Sequence, residues 1–495
     1  MVDYVSALSV DLSLVYPEIA LVVGSVVLLA VACLRRLAST APSLTLLIYL
    51  ISLWLAVRQW NYQGSGFADM VLCDNFGIMF KVIFILASVI TLFLAQSYLK
   101  AKRLNQPEFY ALMLVSTTGM MAMANTADLV VMLIGLEVMS VPLYVLAGFN
   151  HRSLTSNEAG IKYFMMGAFA SAFLLMGIAF IYGAAETTNL RRIVTDFNYL
   201  IYHQQTAVYM IAGVALVLVG FGFKVAAVPF HTWVPDVYQG APTPVTAFFS
   251  VAPKAAAFAV MLRIFIFGFS DFDNLSTVFW ILSVLTMSVG NILALRQDNV
   301  KRMLAYSSIS HAGYVLVALA VGGADAVSTA IFYLTAYMMF NLGAFAVVTL
   351  LETSSGRSAD YDELAGMSRA HPYLSAAMAL FMFALAGFPP TAGFFGKFYI
   401  FSAAAAARLW LLLFLGVLNS GIAAYYYVRV LAVLYDRRGE VRPAWRRVPA
   451  ASAATLLVLT GALFLLGFYP GPLIGLTQRM ATGWVRQSPV VRAGR

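Results

Sequence analysis

The sequence predicts an all-α polytopic membrane protein of about fourteen helices, with two inverted five-helix repeats that each contain a broken helix. Three observations carry this expectation. Of 495 residues, 61% are hydrophobic and only 11% charged, with a mean hydropathy of +0.84, whereas soluble chains run nearer a quarter charged. The apolar residues gather in runs of about 20, each long enough to cross a hydrocarbon core. Two of those runs are interrupted by Gly and Pro beside a lysine.

The runs are bounded by Gly, Pro and charged clusters. They fall near 14–34, 41–58, 72–97, 109–124, 127–149 and 160–184. After a polar stretch with Arg191, Arg192 and His203 they resume near 207–229, 242–268, 275–295, 301–322 and 327–351, and the last lie near 374–402, 408–435 and 451–470. The first starts at Pro17 and Glu18 without a basic leader or small-residue cleavage site, so it reads as a retained helix.

The formal charge of +9 does not point to nucleic acid, because the basic residues are dispersed over short loops and form no patch interleaved with aromatics. Cys33 and Cys73 are too few to hold an iron–sulfur cluster. There is no Walker A loop, no H-E-x-x-H, and no third glycine after Gly220 and Gly222, so no nucleotide, flavin or metal site is expected.

Counted alternately, one set of loops carries Arg35, Arg36, Lys100, Lys102, Arg103, Arg152, Arg296, Lys301, Arg302, Arg357, Arg369 and the cluster Arg437, Arg438, Arg442, Arg446 and Arg447. The positive-inside rule makes that side cytoplasmic and places both termini in the periplasm. Asp69, Asp271, Asp273 and Asp325 fall opposite, with Arg58, Arg191, Arg192 and Arg408. The basic tail with Arg479, Arg486, Arg492 and Arg495 fits this poorly.

The interrupted runs are the seventh, at Gly220-Phe-Gly-Phe-Lys224-Val-Ala-Ala-Val-Pro229, and the twelfth, at Ala386-Gly-Phe-Pro389-Pro390-Thr-Ala-Gly-Phe-Phe-Gly396-Lys397. Both read as broken helices. The twelfth lies five helices on from the seventh, an odd step, so equivalent halves would cross in opposite senses, as in an inverted repeat. The chain then divides into helices one to three (1–105), repeats at 106–268 and 269–436, and a last helix with its tail (437–495), all within one transmembrane domain.

A charge deep in a spanning helix costs about 2.5–3.5 kcal/mol on insertion scales, so it persists where it faces protein or water. Glu137 lies about three turns into the fifth run, with Ser140 and Tyr144 on nearby faces. Lys224 is its expected partner. Lys162 in the sixth run and Lys254 in the eighth extend a polar line, and Lys397 ends it. A lysine suits a relay because burial and a movable carboxylate push its proton affinity in opposite directions. His231 and His311 could pass protons onward. Lys81, Arg263 and Arg429 read as snorkelling or structural groups.

The motifs Leu136-Glu137-Val-Met-Ser-Val-Pro-Leu-Tyr144, Pro229-Phe-His231-Thr-Trp233-Val-Pro-Asp236, Asn299-Val-Lys-Arg302 through His311-Ala-Gly-Tyr314, and Gly393-Phe-Phe-Gly-Lys397-Phe resemble the antiporter-like subunits of respiratory complex I. Trp233 through Pro242, together with Lys397, resemble the subunit N branch. The resemblance implies that Glu137 and Lys224 form a coupling pair, that Lys254 bridges two half-channels, and that Lys397 ends the proton path. It also implies that FMN, iron–sulfur clusters and quinone belong to other subunits. The partners would be a second antiporter-like subunit and small membrane subunits, in a bacterial inner membrane. The alternatives are a subunit of a cation/proton antiporter and a non-transporting scaffold.

Overall fold

The computed structural model describes residues 11–34, 38–194, 204–269, 274–355, 359–436 and 448–486. His203, Asp271, Asp273, Arg35, Arg36, Arg357, Arg492, Arg495 and the arginines from 437 to 447 lie outside the described residues.

Every apolar run is helical. The helices are α1 (Tyr16–Cys33), α2 (Ala41–Arg58), α3 (Asn75–Lys102), α4 (Pro107–Ala124), α5 (Leu129–Ala147), α6 (Leu154–Ala185), α7 (Gln204–Val225) and the short α8 (Val234–Gly240). α9 (Thr243–Met261) runs on as π-helix through Leu262–Gly268. There follow α10 (Leu275–Ala294), α11 (Val300–Val321), α12 (Gly323–Ser355), α13 (Pro372–Ala386), α14 (Ala392–Ala406), α15 (Trp410–Leu434), α16 (Ala450–Phe468) and α17 (Gly471–Arg486). A small hairpin pairs Gly64–Gly66 with Val71–Cys73; nothing in the hydropathy pattern announced it.

Among the described residues, twelve helices are long and apolar enough to cross a membrane. α4, with Glu108, Ser116, Thr117 and Thr118, is more polar, and α13 and α14 are each 15 residues long. The expectation of about fourteen spans therefore counts α4 as one and α13 with α14 as another.

Burial separates a stem from a shell. The window in α9 is 100% buried and those in α11 and α12 are 94% buried, whereas α6 and α16 bury only 33%. The shell helices turn Val, Leu and Phe outward, as lipid requires. The stem helices touch protein on every side, which is where a polar group can be supplied with partners.

One arrangement occurs twice. Leu129 N donates to Thr188 O at 3.0 Å and Leu190 N to Ala127 O at 2.8 Å, while Asp128 caps α5 by accepting from Val130 N and Val131 N. In the second half Val300 N donates to Ala359 O at 2.8 Å and Tyr361 N to Asp298 O at 3.1 Å, and Asn299 caps α11 by accepting from Arg302 N. α5 and α11 start at opposite ends of the bundle, because an odd number of crossings separates them.

Ion pairs fasten both ends. At the Asp128 end, Lys81, fully buried, pairs with Glu18 at 2.8 Å, and Arg263 forks onto Asp74 at 2.7 and 2.9 Å. At the Arg302 end, Arg302 and Lys162 both pair with Asp236, and Arg429 pairs with Asp298. Lys81, Arg263 and Arg429 are thus all ion-paired, with Lys81 reaching a carboxylate where snorkelling would have taken it to water.

The seventh run breaks within the expected stretch. Gly220 and Gly222 are helical and admit close neighbours, Leu174 and Phe230; the break falls after Val225, where Ala226 takes a φ of +64°. Trp233 Nε1 then donates to Phe223 O at 3.1 Å, a second donor on a carbonyl that also accepts from Ala226 N. In the twelfth run α13 ends at Gly387, whose φ of +90° is a left-handed cap that a side chain would strain. The tail beyond α16 folds as α17, which buries Thr477, Met480 and Ala481 and exposes Gln478 and Arg479. That two-faced pattern suits a helix lying in the membrane interface.

Candidate functional site

α5 and α7 build the first station. Ser140 and Tyr144 follow Glu137 on one face of α5, and Lys224 Nζ crosses from α7 to donate to Ser140 Oγ at 2.8 Å and Tyr144 Oη at 3.2 Å. The expected ion pair is not formed: Glu137 and Lys224 make no salt bridge, and Glu137 Oε1 is buried with no hydrogen-bond partner. The reason is reach. Ser140 and Tyr144 lie one and two turns further along α5, nearer the end of α7 that carries the lysine.

α9 and α11 build the second. Lys254 Nζ donates to Ser308 O at 2.9 Å and Ser308 Oγ at 3.0 Å. One turn on, His311 hydrogen-bonds through Nδ1 with Tyr333 Oη at 2.6 Å and through Nε2 with Tyr427 Oη at 3.1 Å. Tyr427 also bonds Ser307 Oγ at 2.5 Å. A neutral imidazole donates through one nitrogen and accepts through the other, so hydroxyls on both sides suit either tautomer.

The third station sits at the second break. Lys397 Nζ donates to Ala386 O at 2.9 Å, the carbonyl left over where α13 ends, and to Ser420 Oγ at 2.9 Å. It also stands over the Tyr314 ring at 4.9 Å. Ser307, Ser308, His311 and Tyr314 all come from α11, so one helix carries the span from Lys254 to Lys397.

Aromatic rings fill the interval between the first two stations. Lys224 Nζ is 6.0 Å from the centre of the Tyr163 ring, which stacks on Trp233 at 4.6 Å. Trp233 meets Tyr238 edge-on at 6.1 Å, and Tyr238 lies 5.9 Å from Lys254 Nζ. Tyr238, Tyr314 and Tyr337 have buried hydroxyls without a hydrogen-bond partner. Polar oxygens therefore line the route while ring faces keep it apolar.

Two candidates stand apart from this line. The Lys162 side chain is 41% exposed and pairs with Glu158 at 2.7 Å and Asp236 at 2.8 Å, so it belongs to the Arg302 end and does not join Lys224 to Lys254. His231 lies in the first break, half-buried, with Nδ1 unbonded.

A further charged cluster lies near Lys162. Glu352 accepts from Thr243 Oγ1 and lies 3.6 Å from Lys301, which donates to Ala241 O at 3.0 Å. Glu352 and Lys301 line a cavity of about 350 Å³ with Glu158, Asp236 and Arg302. Glu352 and Lys301 sit just beyond or at the very start of apolar runs, where charges read as boundaries; only their burial, 8% and 5% exposed, distinguishes them.

Chemically, Lys224, Lys254 and Lys397 share one property. Each is 3–5% exposed, and each is held by neutral oxygens with no carboxylate in contact. Such partners can solvate an ammonium without fixing its proton.

A family model described as "NADH:quinone oxidoreductase/Mrp antiporter, TM" matches residues 126–423. NADH-quinone oxidoreductase subunit N of Trichlorobacter lovleyi is 44% identical over 95% of this chain and 97% of its own. NADH-quinone oxidoreductase subunit N 2 of Roseiflexus castenholzii is 42% identical over 87% and 88%. A chain of respiratory complex I from Thermus thermophilus superposes with a TM-score of 0.79 at 34% identity, covering 93% of this chain and 99% of that one. A chain of the Mrp complex from Dietzia sp. superposes at 0.85 with 20% identity over 98% and 99%, a likeness of fold alone.

Proposed function

This chain belongs to the NADH:quinone oxidoreductase/Mrp antiporter family of membrane proteins, and from that premise we propose how it works. It is the N-type membrane subunit of an NADH-quinone oxidoreductase: a part of an enzyme complex that moves protons across the membrane while electrons pass from NADH to quinone elsewhere. The observation that carries the reading is the succession Lys254, Ser308, His311, Tyr427 through the most buried helices, with Lys224 and Lys397 at the two helix breaks.

In this proposal Glu137 sets the proton affinity of Lys224. A carboxylate brought against the amine raises that affinity and its withdrawal lowers it. The released proton passes by Tyr163 and Tyr238 to Lys254, then through His311 to Lys397. Moving one charge against 100 mV costs about 2.3 kcal/mol, which a change of one to two units in a lysine pKa supplies at about 1.4 kcal/mol each. Lys162 and His231 are assigned to the approaches of this path and not to its centre.

The finer organisation is part of the same proposal. The repeats span 106–268 and 269–436, flanked by 1–105 and 437–495, a division supported by the two equivalent bridged turns. FMN, iron–sulfur clusters and quinone are assigned to other subunits, and a second antiporter-like subunit and small membrane subunits to its flanks. Lys100, Arg302 and Arg369 at one end support a bacterial inner-membrane orientation with both termini periplasmic.

The test is purification of the chain at native expression in mild detergent, with mass spectrometry of its partners and an NADH-quinone reductase assay. Flavin and iron–sulfur subunits with reductase activity are the expected result. Antiporter subunits alone, with sodium/proton exchange and no reductase activity, would assign the chain to the other branch of the family.

A further inference from the structure

Three cavities adjoin around α16 at the Arg302 end. A polar chamber of about 430 Å³ is lined by Lys100, Gln96, Ser97, Thr353, His371 and Ser452. From it an apolar cleft of about 360 Å³ runs between α16 and the pair α3 and α12, past Ile90, Met338, Ala454 and Val458; the two share Phe93 and Ala451. On the other side of α16 a second apolar cleft, of about 650 Å³, runs between α16 and α13 past Ala377, Leu380 and Leu457. It shares His371, Leu374 and Val448 with the chamber.

We propose that these cavities form one binding site for a two-chain anionic phospholipid, its phosphate at Lys100 and one acyl chain in each cleft, straddling α16. Three features fit that occupant. The site is forked, with a polar junction and two apolar arms, which matches a diacyl lipid and not the single cylinder of a partner's helix. The arms follow α16, a helix long and apolar enough to span the bilayer, on which the cleft residues Val458 and Leu457 are 67% and 74% exposed. The junction lies at the membrane end that carries Lys100, Lys102 and Arg103, and Lys100 makes no salt bridge among the described residues, so its charge is available to a headgroup. A lysine at that depth attracts anionic lipid. The positions that open the arms are small: Ala454 and Ala377 each leave room for a chain where a larger side chain would close it.

The experiment uses the intact, detergent-purified complex and phosphatidylglycerol with a photoreactive acyl chain. Labelling should concentrate on α16 and on the facing residues of α3 and α13, and Lys100→Glu should lower it about tenfold. Phosphatidylcholine should compete poorly, and millimolar inorganic phosphate not at all, since the arms as well as the head hold the ligand. Ala454→Trp, which obstructs one arm without touching the charge, should also reduce labelling. If neither variant assembles, competition between the two lipids on the unaltered complex decides. Equal labelling by both lipids, labelling spread evenly over α1 and α6, or cross-linking of a neighbouring subunit into the clefts would overturn the proposal.

Discussion

Lys224 and Glu137 stand on facing helices without touching: the amine donates to Ser140 and Tyr144, and Glu137 keeps a buried carboxylate oxygen without a hydrogen bond. Closing the pair would give that oxygen a charged partner in place of Ser140 and Tyr144 on the amine. Lys224→Met should leave an assembled complex that still reduces an artificial acceptor from NADH yet pumps at about a tenth of the native rate or less, since 1.36 kcal/mol is a factor of ten. Proton uptake into vesicles checks it. A complex that fails to assemble would make the lysine structural.

Tyr427 joins His311 to Ser307, and its hydroxyl is the group that matters. Tyr427→Phe keeps the ring and removes two hydrogen bonds, so pumping should fall by roughly 5–30-fold for one to two kcal/mol, with assembly intact. Tyr333→Phe should act in the same direction through Nδ1. Unchanged proton-to-electron ratios in both would take His311 off the path.

Glu18 and Lys81 form a buried pair at the Asp128 end. Among the described residues, Glu18→Ala leaves the ammonium with Gln59 Oε1 at 3.4 Å alone, which should cost about 3–5 kcal/mol. The double variant Glu18→Leu, Lys81→Met should recover most of that. Thermal unfolding of the purified complex measures both, and equal losses for the single and double variants would contradict the pairing argument.

Gly119 on α4 meets the backbone of Gly135 and Met139 on α5, either side of Glu137. A side chain there must drive the two helices apart, at about 1–3 kcal/mol. Gly119→Leu should therefore lower the unfolding temperature and weaken pumping together, while Gly421→Leu, which meets open space, should do neither.

Asp236 lies outside the spans. Burial works to raise its carboxyl, but hydrogen bonds from Lys162 and Arg302 prevail and hold it below its ordinary 3.8. A folded pKa below the unfolded one means that the contribution of these bonds is complete above the unfolded value and is lost only as pH falls through the folded one. The difference in unfolding temperature between the native complex and Asp236→Asn should thus stay constant from about pH 5 to 8. A difference that fades between pH 7 and 6 would point to another group.

Much of the site was legible because a charge inside an apolar run has so few explanations. Lys224, Lys254 and Lys397 could be picked out on cost alone, and Ser140 and Tyr144 by helical spacing from Glu137. The partners contributed by other helices were not legible. Tyr333 and Tyr427 are two tyrosines among 25, and only tertiary contact separates them from packing. Glu352 and Lys301 were hidden by their place at the margins of apolar runs. The first break falls within the expected Gly220–Pro229 stretch, at Ala226 beside Lys224, while Gly220 and Gly222 themselves serve close packing. Lys162 is the converse case: a lysine early in a long helix, it pairs with Glu158 and Asp236 and stands away from the Lys224–Lys254 line.

Lys397 and its partner Ala386 have a consequence of a different kind. A carboxylate that steadies an ammonium is also a rival for its proton, and can take it. The oxygen at the frayed end of α13 carries the negative pole of a helix dipole and cannot be protonated at any pH a cell meets. Lys397 is thereby given a counter-pole that holds the cation in place and offers its proton no refuge, so a proton leaving this amine has to leave in the direction of some other acceptor.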